Sequence, residues 1–398
     1  MIIAVGIIAC VGIIRLPDGF SVFTDTAPDL DTAVYTVEPD DDGTRTSASD
    51  FRPAHDAGQY TARLKLLGLL PVKTVTVDVI EKQEIRLCGQ NFGIKLYTDG
   101  VIVVGTGDFL YGGKTVNPAS SAGIRVGDRI THVNGTAVNG NEALTAYVTK
   151  HEGNTLRFTV IRKNMKFTAD VTPIIPDGDK KYRIGLWVRD STAGIGTLTY
   201  YNETLGTLAG LGHSVADIDT GEIMPSSEGT MVSVTITEIE KGQSGKAGEL
   251  CGSFSETTYG SIIANTETGI FAKATDRIFE KGKKVDIALK NEITEGKAQL
   301  FTSVDGEAPV SYDVEIEKVN NNLKENKNMV IRITDPKLLK KTGGIIQGMS
   351  GSPVLQNGKL VGALTHVFVK DPTKGYAVFI EKMLIEENGL IVLRNRKK

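Results

Sequence analysis

Residues 348–364 read GMSGSPVLQNGKLVGAL, and this stretch decides the fold. An α/β-hydrolase elbow also places a serine among glycines, but it requires a helix directly after that serine. Here Pro353 opens an apolar run, Asn357-Gly358 is a pair typical of a tight hairpin turn, and a second apolar run ends at Leu364. The order strand, turn, strand excludes the elbow and predicts that Ser350 lies at the start of a β-hairpin.

This serine and its hairpin resemble the nucleophile region of chymotrypsin-like serine peptidases. In that fold the serine and the glycine two positions before it supply the oxyanion-hole N–H groups, so the resemblance implies this role for Gly348 and Ser350. Met349 stands where enzymes activated by N-terminal cleavage usually carry an acid, and Gly344 stands where a specificity acid can lie. Neither that activation switch nor a preference for basic P1 residues is therefore supported.

A serine nucleophile needs a base within hydrogen-bond reach, and the five histidines differ in their context. Four of them are poorly placed to be the base. His55 lies in a polar linker, His132 and His151 lie in a separate predicted domain, and His366 follows the nucleophile hairpin. His213 alone precedes Ser350 within the same β-rich region, which is the order of base and nucleophile in chymotrypsin-like folds. We therefore predict that His213 is the base.

The acid that would orient this base is not decided by spacing. Five aspartates follow His213 and precede Ser350 at plausible positions: Asp217, Asp219, Asp276, Asp286 and Asp335.

A second motif lies upstream, where residues 117–135 read NPASSAGIRVGDRITHVNG. Together with a short predicted helix over 141–150 and an alternating strand over 157–162, it resembles a PDZ domain of the bacterial protease type. Phe92-Gly93-Ile94 matches the hydrophobic–Gly–hydrophobic loop that binds a peptide carboxylate in that family, while the peptide adds a strand to the sheet edge. The resemblance implies that Phe92, Gly93 and Ile94 bind peptide C-termini.

The N-terminal region predicts export. Residues 1–14 contain no polar side chain, and residues 25–42 carry seven acidic residues with no Lys or Arg, which does not hinder translocation. We predict a membrane anchor or signal segment over 1–15. Residues 16–84 are expected to form a linker with a possible autocleavage site and β-like runs near 33–37 and 73–80. A PDZ domain over 85–178 and a serine peptidase domain over 182–398 follow.

Composition narrows the function classes. The chain of 398 residues has 45 basic and 48 acidic residues, a formal charge of −3, so no overall basic surface recruits nucleic acid. Three cysteines and five histidines argue against a disulfide framework and a Cys-rich metal cage, and no metal or cofactor is predicted. The 44 glycines indicate many tight turns. We expect a mainly β chain with an N-terminal membrane anchor, a PDZ domain and a chymotrypsin-like double β-barrel.

A narrower resemblance covers residues 85–385. The segments Tyr182–Leu186, Leu211–His213, Thr334–Pro336, Gln347–Pro353 and Thr365–Val369 resemble the stage IV sporulation protein B peptidases. This family is membrane-tethered and combines a PDZ domain with a serine peptidase. The resemblance implies a triad of His213, Asp335 and Ser350. Asp335 lies only fifteen residues before the serine, and Asp217 remains the alternative acid.

The resemblance also implies a biological role. The peptidase would cleave itself near the N-terminus, leave its membrane anchor and act in the space between forespore and mother cell during endospore formation. Its protein substrate would be a regulator of a membrane-embedded metalloprotease, which then processes a sigma-factor precursor.

Two other functions remain open. One is a PDZ peptide-binding protein whose peptidase domain is catalytically degenerate. The other is a quality-control protease, although that class places its PDZ domain after the catalytic domain.

Overall fold

The computed structural model describes residues 19–24, 35–39, 58–66, 69–163, 165–275, 279, 281–306, 308–321 and 325–395. The predicted membrane anchor over 1–15 lies outside this range, as does much of the predicted linker. Within the described residues, no helix combines the length and the apolar character needed to cross a membrane.

A four-stranded sheet occupies part of the segment predicted as a linker. Its strands are β1 (Gly19–Phe23), β2 (Tyr35–Pro39), β3 (Gly58–Leu66) and β4 (Leu70–Ile80), in the order β1-β4-β3-β2. Alternate side chains such as Leu64, Val75 and Val77 are buried in its own core. The prediction of a linker up to residue 84 is therefore wrong for these strands, because period-two burial makes them one face of a sheet.

The PDZ region follows and forms a second core. After β4 the chain forms, in order, β5 (Ile85–Leu87), β6 (Asn91–Thr106), β7 (Phe109–Tyr111), β8 (Lys114–Val116), α1 (Pro118–Ser121), β9 (Arg129–Val133), β10 (Thr136–Ala137), α2 (Asn141–Lys150), β11 (Leu156–Arg162) and β12 (Met165–Val171). The predicted helix over 141–150 is confirmed as α2. Asn134 and Gly135, at φ 49° and 78°, make the turn between β9 and β10, as is typical of an Asn-Gly pair.

Two long strands run through both the PDZ region and the peptidase region. β13 (Leu186–Asn202) pairs with the end of β6 in the PDZ region, for example Val188 with Val103, and with its start in the peptidase region, Gly196 with Phe92. Residues 85–97 therefore belong to the peptidase barrel, and 182–190 complete the PDZ region. The PDZ domain is inserted into a peptidase hairpin rather than preceding it, which corrects the predicted boundaries at 85 and 178.

The first peptidase barrel is a ring of six strands. After β13 the chain forms β14 (Thr207–Gly210), β15 (Ser226–Glu240), β16 (Glu249–Thr266) and β17 (Gly269–Ala274). Pairing runs from β6 through β15, β16, β17, β14 and β13 back to β6. Phe92, Leu96, Leu198, Leu208 and Ile270 lie in its core. The short strand β18 (Lys284–Val285) pairs with β5 outside the ring.

The second barrel carries the nucleophile. After the 3₁₀ turn η1 (Lys290–Glu292), it comprises β19 (Gly296–Thr302), β20 (Val310–Val319), β21 (Met329–Ile333), β22 (Pro353–Gln356), β23 (Lys359–Val367) and β24 (Lys374–Phe379), closed in the order β19-β20-β21-β24-β23-β22. Helix α3 (Pro336–Thr342) precedes the nucleophile loop, and α4 (Ile380–Asn395) follows the barrel. The predicted mainly β fold with a PDZ domain and peptidase-type barrels is confirmed.

Candidate active site

A cavity of about 450 Å³ lies between the two barrels. The second barrel contributes Gly348, Ser350 and His366 to its lining, and the first barrel contributes His213 through the loop after β14. The predicted nucleophile and the predicted base therefore face one common space.

The nucleophile loop can be built only with glycine at its key positions. Gly348 and Gly351 have φ of 97° and 95°, a region that residues with a Cβ rarely adopt. A Cβ on Gly351 would lie 1.9 Å from the carbonyl oxygen of Thr197. The hairpin that follows is confirmed, since β22 and β23 pair around Asn357 and Gly358. The loop is thus pressed against β13 of the first barrel.

The two predicted oxyanion-hole peptides are held in a fixed orientation. The carbonyl of Gln347 accepts a hydrogen bond from the Leu250 N–H at 2.9 Å, and the carbonyl of Met349 accepts one from the Ser352 N–H at 3.0 Å. In a trans peptide the N–H points opposite to the preceding carbonyl, so the N–H groups of Gly348 and Ser350 point away from these contacts. Within the described residues neither N–H has an acceptor, and both residues line the cavity.

Thr197 of the first barrel also fixes the backbone of the nucleophile loop, through hydrogen bonds to the carbonyls of Gly348 and Ser350. The buried hydroxyl of Thr197 donates to the Gly348 carbonyl at 2.8 Å, and the Thr197 N–H donates to the Ser350 carbonyl at 2.8 Å. The sequence reasoning missed Thr197 and Leu250 because they act across the barrel interface. A run of two threonines at alternate positions of β13, Thr197 and Thr199, was the available signal.

His213 is set up to act as a neutral base. Its Nδ1 lies 2.7 Å from the carbonyl oxygen of Ser214, and because a carbonyl only accepts, Nδ1 carries the proton and Nε2 keeps its lone pair. Burial lowers the pKa of His213 below its usual value, and the Ser214 carbonyl offsets only part of this effect. The imidazole is therefore uncharged at neutral pH.

Ser350 has a different partner in this structure. Its hydroxyl donates to the Thr365 carbonyl at 2.5 Å, and the described residues contain no hydrogen bond between Ser350 and His213. Catalytic hydrogen bonds are often formed only when substrate is bound. Rotation about χ1 of Ser350 would have to accompany this change.

Asp335 does not take the place predicted for the triad acid. Its carboxylate caps the N-terminus of α3, accepting from the N–H groups of Lys337 at 2.7 Å and Leu338 at 3.2 Å. It forms no hydrogen bond with His213 and does not line the cavity. The sequence already contained this signal, because aspartate followed by proline is typical of an N-cap and the first helical position.

The alternative acid, Asp217, is also engaged elsewhere. Its buried carboxylate accepts from the Arg189 guanidinium at 2.6 Å and from the N–H groups of Asp219 and Thr220 at 3.0 and 2.9 Å. Among the described residues, the group that hydrogen-bonds to Nδ1 of His213 is therefore the Ser214 carbonyl, and no carboxylate does so.

His366 lines the same cavity, although its position after the nucleophile hairpin argued against it as the base. Its ring lies 4.6 Å from that of His213, centroid to centroid. Burial lowers the pKa of His366 from 6.5 to about 4, and the charge of Lys327, with that of His213 when it is protonated, acts in the same direction. Both histidines are therefore uncharged at neutral pH.

The predicted carboxylate-binding loop at Phe92-Gly93-Ile94 is instead a strand inside the first barrel. Phe92 is fully buried in the barrel core, and Gly93 is paired with Ile195 on one side and Val232 on the other. Strands on both sides use the backbone groups that a peptide would need. The prediction is therefore wrong in its placement.

A groove in the PDZ region carries the same short pattern. A cavity of about 550 Å³ lies between α2 and the start of β13, where residues 184–186 read Ile-Gly-Leu. Gly185 has φ of 79°, and the N–H groups of Ile184 and Gly185 have no acceptor within the described residues. The hydrophobic–Gly–hydrophobic pattern thus occurs twice, at 92–94 and at 184–186. The sequence analysis assigned carboxylate binding to the first copy, whereas the second copy lines the groove.

Among the residues that the structure describes, the lining of the catalytic cavity contains two histidines but no Asp, Glu or Cys, and this lining offers no set of metal ligands. Elsewhere in the described part of the chain, Glu240, Glu249 and Cys251 bring their ligand atoms within 4.8 Å of one another on β15 and β16. Cys88 and Cys251 are free thiols.

Comparison with known proteins gives two family matches. Residues 180–384, more than half of the chain, match the SpoIVB peptidase S55 family, and residues 94–172 match the PDZ domain family. A Bartonella henselae protein whose name assigns it to the zinc metalloproteases is 35% identical over 80 residues, which are 20% of this chain and 22% of that protein. The chain thus spans about a fifth of the length of this curated relative.

Solved structures with low overall similarity include a PDZ domain and a protease. The PDZ domain of the SdrC-like protein from Listeria monocytogenes is 22% identical, covers 23% of this chain and 87% of its own, and has a TM-score of 0.19. The active form of the Rv3671c protease from M. tuberculosis is 12% identical, covers 50% of this chain and 74% of its own, and has a TM-score of 0.28. With TM-scores this low, classification rests on the family matches.

Proposed function

Since the chain belongs to the SpoIVB peptidase S55 family, we propose that it is a serine endopeptidase with Ser350 as nucleophile and His213 as base. One observation carries this proposal: the unpaired N–H groups of Gly348 and Ser350 share a cavity with the Ser350 side chain and with a neutral histidine. This is the set of groups that acyl transfer requires.

The proposed reaction begins when the Ser350 hydroxyl turns from Thr365 to Nε2 of His213. Ser350 Oγ attacks the scissile carbonyl while Nε2 takes its proton, and the Gly348 and Ser350 N–H groups stabilise the oxyanion. The imidazolium keeps its Nδ1–H bond to the Ser214 carbonyl and then protonates the leaving amine. Water, deprotonated by His213, releases the acyl group from Ser350.

Self-cleavage gives a direct test of this chemistry. The purified full chain is incubated, and the masses of its fragments are measured beside those of Ser350→Ala and Ser255→Ala. Ser255 lies on β16 outside the cavity, so this variant controls for loss of a hydroxyl. We expect fragments from the wild type and Ser255→Ala only. An identical fragment pattern from Ser350→Ala would exclude Ser350 as the nucleophile and favour the degenerate-peptidase alternative.

We further propose that self-cleavage occurs within residues 16–84 and releases the enzyme from a membrane anchor over 1–15. The support is the family membership and the acidic, Lys- and Arg-free stretch over 25–42. In this proposal the enzyme acts outside the cytoplasm, between forespore and mother cell. Its substrate there would be a regulator of a membrane-embedded metalloprotease that processes a sigma-factor precursor. Fractionation of sporulating cells should recover the longer form with membranes and the shorter form in solution.

The PDZ groove would bind peptide C-termini. The unpaired N–H groups of Ile184 and Gly185 are the proposed carboxylate ligands, and Leu144 and Val148 of α2 provide an apolar wall. Binding in this groove also remains the activity expected of the alternative function, a PDZ binding protein without catalysis.

A further inference from the structure

We infer that Asn265 is a positioning residue for the proposed reaction, because it fixes the peptide whose carbonyl keeps the proton of His213 on Nδ1. Asn265 lies on β16, opposite Ile270 of β17. The inference rests on the proposed role of His213 as base, and it names the side chain that orients the imidazole where a triad would use a carboxylate.

The tautomer of the His213 imidazole decides whether it can act as a base. His213 accepts the Ser350 proton only when its own proton is on Nδ1, since Nε2 must keep a lone pair. In a Ser-His-Asp triad a carboxylate secures this tautomer, and the wrong tautomer there lowers kcat about 10⁴-fold. Here the acceptor for Nδ1–H is the Ser214 carbonyl at 2.7 Å. Catalysis therefore depends on the direction in which this one carbonyl points.

The peptide between Ser214 and Val215 is held from its other side by Asn265. The Val215 N–H donates to Oδ1 of Asn265 at 2.8 Å. In a planar trans peptide the N–H and the preceding C=O point in opposite directions. A fixed acceptor on the Val215 N–H therefore directs the Ser214 carbonyl towards His213. The same hydrogen bond polarises the amide, which makes its carbonyl a stronger acceptor.

Asn265 also binds the other face of the Val215 backbone. Its Nδ2 donates to the Val215 carbonyl at 2.8 Å and to the Met224 carbonyl at 3.1 Å. Because the Val215 N–H only donates and the two carbonyls only accept, the chemistry settles which end of the amide is the oxygen. The Met224 N–H returns to the Val215 carbonyl at 3.0 Å, so one side chain joins both ends of the loop 215–224.

The rest of this loop has separate contacts. Ala216 pairs with Ile223, and the Asp217 carboxylate accepts from Arg189 of β13 at 2.6 Å. These contacts shape the loop but do not involve the peptide that faces His213. Among the residues that the structure describes, the hydrogen bonds of that peptide go to His213 and to Asn265.

The test measures the tautomer of His213 by ¹⁵N NMR. The full chain is labelled at its histidines and carries Ser350→Ala, which prevents self-cleavage, and this chain is the parent. The His213 signals are assigned from their loss in His213→Gln. Nitrogen chemical shifts distinguish a protonated ring nitrogen from one with a free lone pair. At neutral pH we expect Nδ1–H in the parent, and a mixture of Nδ1–H and Nε2–H when Asn265→Ala is added.

Asn117→Ala is the matched control. Asn117 lies in the PDZ region, where its Oδ1 also accepts from one backbone N–H, that of Ser120, and its Nδ2 also donates to two carbonyls, those of Gly107 and Gly185. It lies outside the lining of the catalytic cavity. Its loss removes an equivalent set of hydrogen bonds, so we expect a similar loss of stability with the His213 tautomer unchanged.

Asn265→Asp is the second variant, and it decides the inference if Asn265→Ala does not fold. It keeps an oxygen facing the Val215 N–H and adds a negative charge. We expect the Nδ1–H tautomer to remain and the pKa of His213, measured from the same shifts, to rise by at least about 0.5. The titratable neighbours are the same in all samples: His366 against the His213 ring, and Asp217 with Arg189 on the following loop. Asn117→Asp should leave this pKa unchanged.

The rate of Ser350 labelling by a fluorophosphonate links the tautomer to the reaction. This measurement uses the chain with Ser350 intact. We expect labelling to be at least about tenfold slower in Asn265→Ala than in the wild type, because part of the imidazole carries its proton on Nε2. Asn117→Ala should be labelled at the wild-type rate.

Each outcome decides the inference. Either the parent tautomer or the wild-type labelling rate in folded Asn265→Ala overturns it and leaves the proposed roles of Ser350 and His213 standing. An equal change of tautomer in Asn117→Ala, or an unchanged pKa of His213 in Asn265→Asp, also overturns it. A wild type that is not labelled on Ser350 overturns the proposed function, while the tautomer in Asn265→Ala still decides whether Asn265 directs the Ser214 carbonyl.

Discussion

At the scale of single residues, the geometry of the nucleophile loop depends on one buried threonine. Thr197 holds the Gly348 carbonyl through its hydroxyl and the Ser350 carbonyl through its N–H, so one residue of the first barrel fixes the loop of the second. Ser350 and His213 could be singled out from the sequence because their motifs are local. Thr197 could not, because its contact with Gly348 joins residues 151 positions apart.

Thr197→Val removes the hydroxyl and keeps the shape. The Gly348 carbonyl is left without this donor, so we expect kcat to fall roughly tenfold with little change in KM. Thr199→Val is the matched control, because Thr199 is equally buried and its hydroxyl donates to the Gly351 carbonyl, beyond the oxyanion peptides. Similar loss of stability in both variants and equal kcat values would refute the positioning role of Thr197.

Asp335 gives a second prediction at this scale. Because Asp335 caps α3, Asp335→Ala should lower the free energy of unfolding by about 1 kcal/mol. Peptidase activity, measured below the unfolding transition, should stay within a few-fold of wild type. The sequence resemblance instead implies a triad acid, and a hundredfold or greater loss of kcat in the folded variant would restore that role.

At the scale of elements, β6 and β13 explain why domain boundaries could not be located from the sequence. Thr98-Asp99-Gly100 is a sequence typical of a turn and interrupts the apolar pattern of β6, but the strand continues through it to Thr106 with Gly100 at φ 90°. One strand therefore begins in the barrel core and ends in the PDZ core. Local pattern shows where strands occur, whereas which core each half of a strand enters is settled by long-range pairing.

The PDZ groove can be tested with the chain's only tryptophan. Trp187 lines the groove and is 69% exposed. A peptide that adds a strand beside β13 should cover its indole and shift its fluorescence to shorter wavelength. We expect this for peptides with a free, apolar C-terminal residue and not for the same peptides as C-terminal amides. Equal shifts for both forms would argue against carboxylate recognition by Ile184 and Gly185.

At the scale of the whole molecule, buried polar groups join the N-terminal sheet to the second barrel. Lys290 Nζ lies 3.1 Å from the Asp78 carboxylate, and the Glu381 carboxylate accepts from the Ser21 hydroxyl at 3.1 Å and from the Lys290 N–H at 2.8 Å. The sequence predicted a linker in this region because its intervening segments are polar and acidic. Sheet and barrel meet through residues more than 200 positions apart, which no local pattern reveals.

This junction predicts a pH dependence of stability. Burial raises the pKa of Glu381 from 4.5 to about 7, although the Lys290 contacts oppose the shift. The folded chain then keeps a proton that the unfolded chain loses, so the contribution of Glu381 to the free energy of unfolding should fall as pH rises from about 4.5 to about 7. Burial also raises the pKa of Glu387, which acts in the same direction. His213 and His366 act in the opposite direction, because their pKa values are lowered in the folded chain.

Thermal unfolding across this pH range checks the prediction. The Tm of the wild type relative to Glu381→Gln should fall as pH rises from about 4.5 to about 7, whereas its Tm relative to Glu386→Gln, on the same helix, should stay constant. If both variants keep the wild-type slope, Glu381 is not the titrating group.

The central claim is that Ser350 is a nucleophile activated by His213 without a carboxylate on its imidazole. It is tested most directly by treating the full chain with a fluorophosphonate and locating the adduct by peptide mass spectrometry. The account predicts one adduct, on Ser350, that is lost in His213→Ala and formed at near wild-type rate in Asp335→Ala. An adduct on another residue, or labelling of Ser350 that is independent of His213 or abolished in folded Asp335→Ala, would contradict it.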